Sequence, residues 1–339
     1  MPPTNNSGLS RRNVFAIGGA SLFALTLTAC GDGSAADGYP SKTLQIMAPA
    51  GAGGGWDSTA RAIQEVLASS KLVKSTVEVY NVEGAAGTLG LAQLATKHQG
   101  DAHQLMVTGL VMVGGIVTNK AEITLERTSP IAILTAEQEV VVVPSDSKYE
   151  TLADLMEDAK KAPESINWGG GSAGGTDQIL VGMLAKAAGA DPAAMKYIPY
   201  SGGGESKAAL LSGDLTAAVS GVSEYAELVA SGDLRVLAVS GAEGVDAGDG
   251  KPAPTIKEAG FEVELMNWRG IVAPPGISED EKTAITELFD KMHDSEEWKA
   301  LCEKQGWDDF YRSGSDAVDY FASETERINP ILTDLGLAE

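Results

Sequence analysis

The sequence predicts an α/β protein of two domains, and three observations carry that expectation. Strand-like, glycine-rich and helix-like segments repeat in that order. TLQIMAP (43–49) leads through AGAGGGW into DSTARAIQEVLAS (57–69), STVEVYN (75–81) through VEGAAG into TLGLAQLAT (88–96), and HQLMVTG (103–109) into a further apolar stretch. Such alternation favours parallel strands covered by helices. The length, 339 residues, leaves room for two cores even without an N-terminal leader. Two buried-type strands, EVVVVPSDS (139–147) and LRVLAVSG (234–241), bracket a stretch that reads as an α/β unit of its own. A chain leaving one domain at the first and returning at the second divides as 41–141 plus 239–339 for domain 1 and 142–238 for domain 2.

Each element has its own signature. In the first helix Ala62, Ile63, Val66 and Leu67 make one apolar stripe at helical spacing. After 241 come an acidic, flexible loop (AEGVDAGDGKPAP), the strand-like FEVELMNW (261–268), a proline turn in VAPPGIS, and two helices. The first, EDEKTAITELFDKM (279–292), places Ile285, Leu288, Phe289 and Met292 on one face, with His293 at its end.

The N-terminus predicts export. Ser10-Arg11-Arg12 precedes an apolar run (14–27) that is too short to span a bilayer and has the length of a signal-peptide core. Leu27-Thr28-Ala29-Cys30 then resembles the lipobox of bacterial lipoproteins. Residues 1–29 are expected to be removed, Cys30 lipidated as a membrane anchor, and 30–40 to act as a linker. The arginine pair is also compatible with twin-arginine export. The only other cysteine, Cys302, reads as a buried thiol within helical WKALCEKQGW.

Composition excludes several function classes. With 47 acidic and 25 basic residues the net charge is −22, and no basic stripe is available for nucleic acid. His98, His103 and His293 are not paired at metal-ligand spacing, so no metal is expected. His98 and His103 flank a polar turn and read as surface residues. No cofactor motif is complete, and no glycine loop ends in Gly-Lys-Ser/Thr.

Four glycine loops carry the functional signal: 51–57, 84–88, 169–177 and 201–205. Each follows a strand-like segment and opens a helix. Glycine lets backbone N–H groups approach a ligand, and a helix start adds unpaired donors and a partial positive charge. An acidic protein can therefore hold an anion without lysines. Asp57 and Thr176 also fit helix capping, and Arg61 structural hydrogen bonding. Arg269, in NWRG, is the cation placed to fork onto a carboxylate, with the Trp268 indole shielding the pair from water. NWGGGSAGGTD (167–177) also contains the letters of a nucleophile elbow around Ser172, but His293, the only histidine in suitable chain order, is in a helical setting. A secreted serine hydrolase using Ser172 is the alternative from another class.

The ordered motifs resemble the substrate-binding proteins of tripartite tricarboxylate transporters, the family that includes the Bordetella uptake proteins. The resemblance rests on Pro49, Gly53, Gly54 and Asp57, on Ala60-Arg61, on 84–87 (GAAG), on WGGGSAGGTD and IPYSGGGESKAALLSGDL, and on LRVLAVSG, NWRG and APPG. It spans about residues 41–335. It implies a type II periplasmic-binding-protein fold, a Venus flytrap of two α/β domains closing on a small carboxylate. It implies no catalytic residues, a monomer, and delivery to integral-membrane permease subunits. Carried over, Gly53, Gly54, Trp56, Asp57, Gly87, Gly171, Ser172, Thr176, Asp177, Tyr200, Ser201, Gly202 and Arg269 line the ligand. GGGWD and NWRG point to citrate-like tricarboxylates. Asn81-Val82-Glu83-Gly84 replaces the Asn-Arg-Pro-Gly of many relatives and removes a basic residue. A dicarboxylate, aromatic carboxylate or amino acid, or signalling to a sensor kinase, are the alternatives.

Overall fold

The computed structural model describes residues 38–200 and 203–338. The expected leader 1–29, the lipidation site Cys30, most of the 30–40 linker, and the site candidates Ser201 and Gly202 lie outside the described residues.

The glycine-loop passages form where the pattern puts them. β1 (Leu44–Ala48) is buried at Leu44, Ile46, Met47 and Ala48, and α1 (Gly55–Ser69) lays Ala60, Ala62, Ile63, Val66 and Leu67 into the same core. Burial of each large apolar side chain contributes about 1.5–3 kcal/mol. β2 (Val77–Asn81), α2 (Thr88–Lys97) and β3 (Gln104–Gly109) follow, and the apolar stretch after β3 is α3 (Leu110–Thr118). β4 (Ser129–Pro144) comes next. Then α4 (Leu152–Lys161), β5 (Trp168–Gly170), α5 (Thr176–Ala188), β6 (Tyr197–Pro199), α6 (Gly203–Leu211), β7 (Ala217–Gly221), α7 (Val222–Ala230) and β8 (Leu234–Val239) form the middle of the chain. β9 (Met266–Ala273), α8 (Glu279–Asp294), α9 (Glu296–Gln305), β10 (Asp308–Ser313) and α10 (Gly314–Asp334) complete it.

The strands make one mixed sheet in the order β2-β1-β3-β9-β4-β7-β5-β6, with β10 and β8 also paired to β4. Parallel pairing holds at the two flanks, β2-β1-β3 and β7-β5-β6. The strands between them are antiparallel, so the all-parallel expectation is corrected at the centre. The crossing strand expected at 139–147 is the second half of the 16-residue β4. Its first half pairs with β9 and β10, its second with β7 and β8.

Alternation along β4 divides the core. Val141 and Val143 join the large apolar cluster shared by β1, α1, α5 and α10, while Val140 and Val142 join a smaller one with Leu210, Tyr225 and Val239. FEVELMNW was expected to be strand throughout, but β9 starts at Met266. A tight turn, Val263 N–H to Phe261 C=O at 2.7 Å, breaks the earlier part, while Val263 and Leu265 are still buried. The α8 stripe is buried as expected, and so is Cys302, whose thiol is pushed up to about 12 by burial and then by nearby Asp309. His98 and His103 are half-buried, and His103 Nε2 accepts the Ser41 N–H at 3.1 Å. No helix among the described residues is long and apolar enough to cross a membrane.

Candidate ligand-binding site

Helix starts of two kinds occur in the molecule. α4 and α8 begin with complete capping boxes, Thr151 with Asp154 and Ser278 with Glu281. α1 and α5 begin at Gly54 and Gly175, where no side chain caps the first turn. Each of these two starts lies within a glycine loop, at 51–57 and 169–177.

In the first loop Gly53 takes φ +83°, and its N–H donates to Asp57 Oδ2 at 2.8 Å. Asp57 is the third residue of α1, not its cap. Arg61 Nε reaches Oδ2 at 2.9 Å and Asn81 Nδ2 reaches Oδ1 at 2.9 Å. Burial opposes ionisation of Asp57 most strongly, but hydrogen bonds from Arg61, Gly53 and Asn81 outweigh it and hold the carboxyl at about 2. Asp57 is thus the clamp of the loop, with Arg61 as its ion-pair partner. Trp56 is buried against Gly87 and Gly109. A Cβ on Gly87 would lie 2.6 Å from the Trp56 ring and 2.8 Å from Met112, so Gly87 gives the indole its room.

The 167–177 loop uses its glycines in the same way. Gly171 N–H donates to Asp177 Oδ2 at 2.5 Å, Gly174 N–H to Gln178 Oε1 at 2.8 Å, and Gly175 N–H to Ser172 C=O at 2.9 Å. Gly174 meets α3, where a Cβ on Gly114 would lie 1.7 Å from its carbonyl oxygen. These glycines make room for the protein's own backbone and carboxylates, and their N–H groups are engaged there. Ser172 is half-buried at the loop, Tyr200 N–H bonds the Gly170 carbonyl at 2.9 Å, and buried Thr176 Oγ1 lies 3.4 Å from Asn267 Oδ1.

Arg269 lies at the centre of β9, buried, with its guanidinium pressed on the start of α1. A Cβ on Gly55 would lie 2.8 Å from Nη2. Nη2 donates to Glu137 Oε2 at 3.1 Å. Glu137 Oε1 in turn accepts the Ser223 N–H, at 3.0 Å, and the Ser223 hydroxyl at the start of α7. The expected aromatic partner is corrected. Trp268 and Arg269 are neighbours on a strand and point to opposite faces, so Trp268 is fully buried with its Nε1 on Glu324 Oε2 at 2.9 Å. The ring beside the guanidinium is Trp307, 5.3 Å from Cζ to centroid.

Two residues further along β4, Glu139 is fully buried and neither carboxylate oxygen has a hydrogen-bond partner. Burial, then Asp177, Glu137 and Glu224, push its carboxyl well up. Burial raises Asp177 to about 7, with Glu224 adding to it against the Gly171 hydrogen bond. Glu137, Glu139, Gly55 and Asn267 were not found by motif reading. Two acids spaced by two inside the otherwise apolar AILTAEQEVVVVP were the available signal, because a buried strand seldom carries a charge without a partner.

The chain matches the family model for the tripartite tricarboxylate transporter family receptor, TctC, over residues 59–337. It belongs to that family. Among relatives, an Agrobacterium vitis protein described as a UPF0065 protein of the TAR-I ttuE-ttuC' intergenic region is 28% identical over 262 residues, covering 74% of this chain and 73% of its own. Among solved structures, MatC of Rhodopseudomonas palustris with bound malate superposes with a TM-score of 0.72 at 21% identity, covering 89% of this chain and 100% of its own. R. palustris Rpa4515 with adipate gives 0.76 at 20% identity, covering 88% and 99%. The receptor therefore has the periplasmic-binding-protein fold of this family, whose members are solute-binding receptors and not enzymes. The Ser172 hydrolase reading is set aside on that ground. His293 in the receptor is stacked on Tyr311, 4.0 Å between centroids, with Nε2 at 3.1 Å from Asp309.

Proposed function

We propose that the receptor captures a small carboxylate between a domain of 41–141 plus 239–339 and a domain of 142–238, and presents it to the permease subunits of a tripartite tricarboxylate transporter. In this reading the protein is exported and held at the outer face of the membrane by lipidated Cys30. The single observation that carries the ligand class is the Arg269 guanidinium set against the uncapped start of α1 at Gly55, where it already binds one carboxylate, that of Glu137. A cation and a helix N-terminus facing one point attract an anion, and an incoming carboxylate competes with Glu137 for the same donors. MatC with malate and Rpa4515 with adipate hold dicarboxylates in the same fold.

Citrate, the ligand the sequence motifs favour, brings three charges to a region that also holds Glu139, Asp177 and Glu224. Electrostatics rank dicarboxylates ahead of it. The test is thermal melting of soluble protein beginning after Cys30 against malate, succinate, glutarate, adipate and citrate. A ligand at a hundred times its Kd adds about 2.7 kcal/mol, or on the order of 5 °C. A shift with one or more of these supports the reading. Flat melting curves across every carboxylate tested, with or without an amino group, would remove it.

A further inference from the structure

α10 packs against α3 and against α5, and so touches both parts of the chain that the domain reading separates. Up to Ile328 it is fixed to the side of β9 and β10. Ala317, Phe321 and Ile328 are buried, and the Trp268 ring of β9 meets Phe321 and Tyr320 edge-on at 5.1 and 5.6 Å. Trp268 Nε1 donates to Glu324, which Arg327 also holds through Nε at 2.7 Å and Nη2 at 2.9 Å. Past Asn329 the helix is fixed to α5 instead. Lys186 Nζ donates to Asp334 Oδ2 at 2.5 Å, and a Cβ on Gly182 would meet Leu335 Cδ2 at 2.8 Å. The exposed ion pair contributes little, so the buried Leu335 is the firmer anchor.

Between the two anchors stands Pro330, inside the helix. Proline offers no N–H to the carbonyl four residues back, that of Glu326, and its ring crowds that carbonyl. The helix therefore bends most easily at this point. A cleft of about 460 Å³ lies beside it, lined by Val117 and Lys120 at the end of α3 and by Asn329, Thr333 and Ala338. It leaves room for the bend. α10 also lies on the far side of the sheet from the carboxylate site, since Trp268 faces α10 while its neighbour Arg269 faces the α1 start.

We propose that α10 is a strap across the two domains, jointed at Pro330, which resists their closure and so sets ligand affinity from outside the binding site. The proposal rests on the two-domain carboxylate-receptor reading above. Glu137 holds Arg269 here, in the place that an incoming carboxylate takes, so the strap is relaxed in the unliganded arrangement. Closure turns the domain that carries α5 against the domain that carries β9. A helix anchored to both must take up the turn, and it does so at Pro330. The work of bending is subtracted from the binding free energy. Affinity therefore falls when the strap is stiffened and rises when an anchor is loosened.

The experiment is isothermal titration of soluble protein beginning after Cys30, using whichever of malate, succinate, glutarate, adipate and citrate gives the largest melting shift. Leu335→Ala loosens the α5 anchor and should bind about three- to ten-fold tighter than wild type, although its unliganded melting temperature falls. Pro330→Ala stiffens the strap and should bind roughly three-fold or more weaker, although its melting temperature rises. Affinity and stability then move in opposite directions, which a purely structural role does not produce. Should Leu335→Ala not fold, Pro330→Ala and hydrogen exchange of the wild type carry the test. Amides of residues 331–334, whose helical bonds cross Pro330, should exchange faster with ligand bound, while those of 318–324 do not. Equal affinities in variants and wild type, or affinities that follow stability, overturn the strap and leave the carboxylate receptor intact. Exchange that slows along the whole of α10 on binding overturns it as well. No binding by the wild type with any of the five removes the receptor reading and the strap with it.

Discussion

Arg269 Nη2 and Glu137 Oε2 meet at 3.1 Å and join β9 to the centre of β4 across 132 positions of sequence, with both side chains nearly excluded from solvent. The carboxylate that holds the guanidinium is also the one that covers the start of α7. Glu137 is in effect an internal ligand at an anion site. Glu137→Gln keeps the shape and the Ser223 contacts but leaves a buried guanidinium without its counter-charge. Breaking a buried pair from one side costs about 3–5 kcal/mol, and less where an amide oxygen still accepts a hydrogen bond. The expected result is a lower melting temperature without ligand and a larger ligand-induced shift than wild type, both read in one melting experiment. An unchanged shift means that ligand carboxylates do not compete for Arg269.

Asp57 and Asp177 give opposite pH slopes. Asp57 is depressed to about 2 in the folded state against an ordinary value near 3.9. Its contribution is complete above about pH 4 and disappears as pH falls through 2. Asp177 is raised to about 7. The folded protein therefore holds a proton that the unfolded chain has lost, and stability declines as pH rises from about 4 to 7. Stability of the unliganded protein should peak near pH 4–5. Asp177→Asn keeps an acceptor for the Gly171 N–H and should flatten the decline, gaining stability at pH 8. A profile still rising from pH 5 to 8 in wild type would show that the acid pair is not protonated.

The Asp57 clamp can be removed by itself. Asp57→Asn loses the ion pair with Arg61 while remaining nearly isosteric. Arg61 is half-exposed, which screens the pair, so the expected outcome at pH 7 is a small decrease in Tm. The variant should also lose the acid-side slope below pH 4. A melting temperature equal to wild type at pH 7 contradicts the clamp.

Much of this architecture is legible because it is periodic. The stripe Ala62, Ile63, Val66, Leu67 and the unbroken apolar run at 140–143 report local structure directly, so the first helix and a buried strand were found. The antiparallel centre was not, since nothing in MNWRGIVA says that it pairs with residues more than a hundred positions earlier. Glycine loops were read as space for a ligand. At Gly87 and Gly174 the space is taken by Trp56 and α3, because a missing Cβ admits any close neighbour. Arg269 was found as an isolated basic residue, whereas its partner Glu137 was hidden among many acids and becomes distinctive only through burial.

Ala85 and Ala86 both have φ near +50°, in the left-handed region, between Gly84 and Gly87. A non-glycine residue there costs about 1–2 kcal/mol. Ala85 is exposed, whereas the Ala86 Cβ packs on Gly115. Ala85→Gly should relieve the strain and, after the added freedom of the unfolded chain, gain roughly 0.5–1 kcal/mol. Urea unfolding with an unchanged slope and a higher midpoint is the expected outcome. Destabilisation would show that the Ala85 methyl packs better than its exposure indicates.

Gly55 separates folding from binding most cleanly. It is the first residue of α1, where alanine is a better helix former than glycine. An added methyl would lie 2.8 Å from Arg269 Nη2 and 3.2 Å from Cζ, at the movable end of a long side chain. Gly55→Ala should therefore lower the melting temperature of the free protein by less than Glu137→Gln does, because the guanidinium end needs only a small shift that keeps its bond to Glu137. The displaced guanidinium no longer faces the helix start, and ligand affinity should fall about ten-fold, near 1.4 kcal/mol. Calorimetric titration with the tightest carboxylate found in melting experiments measures this directly. Full affinity in a well-folded Gly55→Ala protein would place the ligand carboxylate away from Arg269 and the start of α1.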